Sequence, residues 1–112
     1  MRLLVRFYKT TNDREPVREW LKALPQHERK VIGDDIKTAQ YGWPIGMPLI
    51  RKLETGLWEV RSRLAGRIAR AIFTVHDNKM ILLHGFVKKS QKTPLKELQL
   101  ARQRLSTLQI ED

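Results

Sequence analysis

The spacing of apolar and polar positions changes along this chain, and each change marks an element. Residues 2–8 (RLLVRFY) are short, apolar and partly alternating, which predicts a first strand. Asn12-Asp13 then offer capping oxygens, and Pro16 suits a first helical turn. Val17, Trp20, Leu21 and Leu24 recur at helical spacing, and Pro25 interrupts their stripe. A second helix is expected from about Gln26 to Tyr41. Its inward positions are Val31, Ile32, Ile36 and Ala39, and Glu28, Lys30, Asp34 and Lys37 face outward. Gly42-Trp43-Pro44 stops it, in a Gly- and Pro-rich loop, GWPIGMP.

Beyond the loop the spacing shortens to two. Leu49–Leu53 suits a short edge strand. In Leu57–Arg63, Trp58, Val60 and Ser62 share one face while Glu59, Arg61 and Arg63 share the other. Ala65-Gly66 turns the chain into a strand over Arg67–Val75. Asp77-Asn78 tolerate positive φ and mark a tight hairpin. Met80–Val87 is nearly all apolar, as a strand covered on both faces must be. Lys88-Lys89-Ser90-Gln91-Lys92 is a polar loop. Thr93-Pro94 then provide a cap and a first-turn proline for a last helix, whose inner stripe is Leu95, Leu98, Ala101, Arg102, Leu105 and Leu108. The order is β-α-α-β-β-β-β-α, an α+β arrangement with helices packed on a sheet. At 112 residues, one domain spanning 1–112 is expected.

Charge adds a direction to this picture. The net charge is +10, which points to a polyanionic partner: nucleic acid, an acidic protein or an anionic membrane. Residues 57–94 carry eight Lys and Arg against only Glu59 and Asp77. A sheet face lined by those cations is a place to hold a phosphate backbone. No cysteine is present, so disulfides and thiolate zinc sites are excluded, and a reducing cytoplasm fits. MRLLVRFYK has too short an apolar core for a signal peptide, and no segment approaches the length of a membrane span.

Enzyme signatures are few. A glycine-rich phosphate loop and a GxSxG elbow are both missing. His27, His76 and His84 have no metal-ligand spacing, and the carboxylates are too few for paired-carboxylate or two-metal chemistry. A cluster of cations with one or two proton carriers remains. That set suffices for attack of an RNA 2′-hydroxyl on its own phosphodiester, because the nucleophile already sits in the substrate. Guanidinium and ammonium groups supply the charge stabilisation, and positioning supplies the rest. No cofactor or metal is required.

Each candidate has a plainer alternative. Arg61, held by Glu59, and Arg63 can line a phosphate site or a solvated strand face. Of Arg67 and Arg70, one points to the polar face. Arg67 is preferred, with Arg70 pairing a carboxylate at the sheet edge. Glu59 is a general base or a structural ion-pair partner. His84 is a core histidine, or an acid–base group if it faces the cleft. Lys88, Lys89 and Lys92 sit at a strand end, where sites are often built, and lysines are also ordinary surface residues. Trp20, Trp43 and Trp58 are expected in the core, with Trp43 in its loop the one open to base stacking.

LWEVR, RIARAIF, ILLHGFVKKSQKTP and KELQLARQR, with EPVREWLKALP and PLIRKLETGLWEVR before them, resemble the phage-derived HigB-like branch of the RelE/ParE toxin superfamily. The resemblance covers about residues 5–105. It implies a RelE-like microbial RNase-type fold: an N-terminal strand, a helical hairpin, an antiparallel sheet and a C-terminal helix. It also implies a cytoplasmic type II toxin that enters the ribosomal A site and cleaves mRNA there without a metal. Arg61, Arg67, Lys88 and Lys89 would carry that chemistry. RelE-type relatives often place a tyrosine near the start of the last helix, where this chain has Pro94. That leaves Glu59, His84 and Lys88 as proton-transfer candidates. Arg63, Arg70 and Lys92 would contact RNA. The implied partners are the ribosome, mRNA and a helix-turn-helix, HigA-like antitoxin, with operator DNA reached only through the antitoxin complex. Two other readings stand beside this one: a non-catalytic, ParE-like poison of DNA gyrase, and a plain basic nucleic-acid-binding module.

Overall fold

The structure is a computed structural model and describes residues 2–111. Its elements are β1 (Leu4–Phe7), α1 (Pro16–Ala23), α2 (Gln26–Gly42), β2 (Ile50–Glu54), β3 (Leu57–Leu64), β4 (Arg67–His76), β5 (Lys79–Lys88) and α3 (Leu95–Glu111). This is the expected α+β order. One sheet holds all five strands in the order β1-β5-β4-β3-β2. The strands β2 to β5 form an antiparallel meander, as adjacent strands joined by tight turns do. The sheet as a whole is mixed, because β1 runs parallel to β5. The α1–α2 hairpin is the crossover that lets the chain leave β1 and return on the far side of the sheet.

Two apolar layers flank the sheet. The helical hairpin covers one face over Val60, Ala69, Ala71, Phe73, Met80 and Leu82. Trp43 and Trp58 belong to this layer, with ring centroids 5.1 Å apart and edge to face, so Trp43 is a packing residue. α3 covers part of the other face through Leu98, Ala101, Leu105 and Leu108, over Leu57, Ile72, Leu83 and Phe86. Leu95 and Arg102 are not on that inner stripe. Leu95 is exposed, and Arg102 reaches sideways to Glu54 of β2, at 2.7 Å.

Local geometry follows the residue types. Asp77 and Asn78 both take positive φ and close the β4–β5 hairpin. Gly85 lies under the Trp20 ring of α1, where a Cβ would stand 2.2 Å from a ring carbon. The glycine of the HGF segment is therefore what lets α1 lie close on β5. A bulge interrupts β5: Phe73 faces Leu82 and Ile72 faces His84, leaving Leu83 extra. Leu83 and His84 consequently both belong to the α3 side, and Arg104 of α3 donates to the Leu83 carbonyl at 2.7 Å. None of the helices is long and apolar enough to cross a membrane, among the described residues.

Candidate active site

Strand register decides which cations meet. Arg61 of β3 pairs with Arg70 of β4, which pairs with Phe86 of β5. One step toward the β3–β4 turn lies the row Arg63–Ile68–Lys88. One step the other way lies Glu59–Ile72–His84, with Arg51 of β2 beside Glu59. All of these share the α3 face; α3 packs over Ile72, His84 and Phe86, and the 89–93 loop bonds to Arg51, Arg61, Arg70 and Glu59.

Glu59 is the hub and is fully buried. Its Oε1 lies 3.7 Å from both Arg61 Nε and Arg70 Nε, and its Oε2 accepts a 2.8 Å hydrogen bond from the Thr93 hydroxyl. Arg70 is also fully buried. It donates Nη2 to the Ser90 carbonyl and sets its guanidinium 5.6 Å over the Phe86 ring. Burial lowers the Arg70 pKa, Glu59 pulls it back up, and Arg61 and Arg51 lower it further. An arginine still keeps its charge under such conditions. Arg61 retains 11% side-chain exposure and donates to Gln91 Oε1 at 2.8 Å and to the Gln91 carbonyl at 3.3 Å. Arg51 reaches the same carbonyl, at 3.4 Å. Three guanidinium groups from three strands thus converge on the oxygens of one short loop.

His84 lies under α3, stacked on Phe86 at 5.7 Å, and its Nε2 is 2.7 Å from Glu97 Oε1. With the carboxylate as acceptor, Nε2 carries the proton. Burial pushes the His84 pKa below its usual value, the Glu97 hydrogen bond and charge oppose this, and Arg104 adds to the lowering. The imidazole is therefore neutral at pH 7.

The two arginines of RIAR separate. Arg67 and Arg70 are three residues apart on a strand, so they leave opposite faces. Arg70 joins the cluster. The Arg67 guanidinium is bound to Glu28 of α2, on the hairpin side, although the residue also borders a shallow hollow at the β3–β4 turn with Arg63, Lys89 and Gln91. Glu28, expected to face outward, is buried by this pair. Lys88, Lys89, Lys92 and Arg63 are exposed around the rim of the cluster. Sequence reasoning missed Arg51, Ser90 and Gln91. Arg51 carried a usable signal, since the β2–β3 hairpin register puts it opposite Glu59. Thr93 looked like a helix cap, yet its hydroxyl is spent on Glu59.

Chemically, the arrangement offers positive charge held by hydrogen bonds on the α3 face, with exposed amines at its edge. Glu59 is fully buried and His84 is half-buried, and both are already engaged, Glu59 by Arg61, Arg70 and Thr93 and His84 by Glu97. Among the described residues, no three His, Asp or Glu side chains gather as a metal site. No curated protein matches the chain. The model of a family described as phage-derived, Gp49-like protein matches residues 19–106, so the chain belongs to the Gp49-like family.

Proposed function

We propose that this Gp49-like protein is the toxin of a HigB-like type II toxin–antitoxin pair, and that it halts translation by cutting mRNA on the ribosome. The observation that carries the proposal is the convergence of Arg51, Arg61 and Arg70 under one loop, with Arg63, Lys88 and Lys89 exposed at its rim. Family membership supports the same reading.

In the proposed reaction the 2′-hydroxyl gives its proton to water as its oxygen attacks the adjacent phosphorus, and the bond to the 5′-oxygen breaks, leaving a 2′,3′-cyclic phosphate. Arg61 and Arg63 stabilise charge on the non-bridging oxygens; one such donor typically contributes about 3–4 kcal/mol. Lys88, at the end of β5, gives a proton to the departing 5′-oxygen. Arg70 and Glu59 do not touch RNA. They are positioning residues that fix Arg61 and the 89–93 loop. Arg67 has a structural role through Glu28. The ribosome supplies the in-line geometry that so sparse a site does not impose by itself. A HigA-like antitoxin is the expected neutralising partner.

Induction in a bacterial host tests this. Growth arrest is expected, with new 5′ ends in translated messages, and Arg61→Ala and Lys88→Ala variants that stay folded should relieve both. A DNA-damage response with intact mRNA would instead indicate gyrase poisoning. Tight RNA binding with no cleavage on ribosomes would leave only a basic binding module.

A further inference from the structure

Beside the arginine cluster is a cavity of about 140 Å³, lined by Met47, Pro48, Arg61, Arg63, Ile68 and Gln91. Its walls are of two kinds. Met47, Pro48 and Ile68 are apolar. Arg61, Arg63 and Gln91 are polar, and Arg61 of β3 is hydrogen-bonded to Gln91 of the loop. A cavity of about 150 Å³ with apolar walls admits one six-membered ring, so the volume suits a single-ring base better than a purine.

The polar groups complete the match. Gln91 Oε1 accepts from Arg61 at 2.8 Å, which fixes the amide orientation. Its two N–H donors have no acceptor among the described residues and are free for a carbonyl on the edge of a base. Arg63 is exposed and carries a full set of donors for the phosphate next to that base.

We propose that this cavity is a pyrimidine subsite. One unpaired RNA base inserts between Met47-Pro48 and Ile68, Gln91 donates to its carbonyl, and Arg61 and Arg63 hold the adjoining phosphate. The proposal rests on the RNA-cleaving reading and adds a base preference to it. It also gives Gln91 two tasks: it positions Arg61 and it reads the substrate.

Binding of tetrauridylate and of the matching abasic ribose-phosphate tetramer, followed at low salt by the Met47 methyl and Gln91 amide NMR signals, tests it. Tetrauridylate should bind about tenfold more tightly and shift both signals, while the abasic tetramer, which keeps the phosphate contacts of Arg61, leaves the Met47 signal unmoved. Gln91→Leu, in an exposed loop, should erase the difference, since one hydrogen bond is worth about tenfold. Equal binding of the two ligands with a silent Met47 would overturn the base subsite and leave the phosphate contacts standing. Uridine monophosphate binding as tightly as the tetramer would also overturn it, by assigning the cavity to a free nucleotide. Failure of both tetramers to bind, with no cleavage on ribosomes, would instead remove the nuclease reading beneath it.

Discussion

Arg67 and Arg70 carry like charges three positions apart and do opposite jobs. Arg70 has lost all exposure and is held by Glu59, Phe86 and the Ser90 carbonyl. Removing one member of a buried pair costs about 3–5 kcal/mol, so Arg70→Ala should lower the urea midpoint steeply. Arg67 is partly exposed, and solvent screens it. Arg67→Met should cost about 1–3 kcal/mol, and Glu28→Gln in the same chain should recover part of that in a double-mutant cycle. Folded Arg67→Met should still cleave, and loss of cleavage per folded molecule would return Arg67 to the active site. The sequence could not separate the two arginines. RIARAIF is buried on both faces, so no polar alternation marks its orientation, and only the pairing of Arg61 with Arg70 settles it. Gly85 was equally silent. Gly85→Ala would drive a methyl group into Trp20. It should destabilise by at least about 1–3 kcal/mol, read as a shift in melting temperature, and a neutral result would mean that α1 can lift from β5.

Among the elements, β3 was the most legible, because WEVRSR alternates strictly and one of its faces is polar. The order and type of all eight elements followed from the same spacing rule. The parallel pairing of β1 did not follow, since a four-residue strand carries no signal of direction. The bulge in β5 was hidden as well, and it decides the fate of His84 by turning the side chain toward α3 and Glu97. A pH effect results. The folded His84 pKa lies below its unfolded value of about 6.5. As pH falls below that value the unfolded chain takes up a proton that the folded chain refuses. This contribution to stability is therefore present above pH 6.5 and is lost as pH drops toward the folded pKa. Urea midpoints at pH 7.5 and 5.5 should differ for the native chain and differ less for His84→Gln. An unchanged difference would place the titration elsewhere.

Across the whole molecule, charge is segregated rather than merely abundant. Residues 57–104 carry 11 basic groups and 3 acidic ones, for a net +8 of the total +10. Four exposed members of that set, Arg63, Lys88, Lys89 and Lys92, lie in or next to the loop over the cluster. Single-stranded RNA touching Arg61, Arg63, Lys88 and Lys89 should bind with a log–log salt slope of about −3, and Lys88→Ala should flatten it by about 0.7. A slope unchanged in that variant would put the phosphate track on another face. The charge excess was visible in the sequence, but its convergence on Ser90 and Gln91 was not, because a loop's path over a sheet leaves no periodic trace. Most direct is a reconstituted translation reaction with purified ribosomes and one message, mapped by primer extension, with the native chain set against a folded Arg61→Ala variant. New 5′ ends within the translated reading frame, dependent on ribosomes and reduced about 10²–10³-fold in the variant, are the expected result. Equal cleavage by the two proteins, or none by the native chain, would contradict the proposed site.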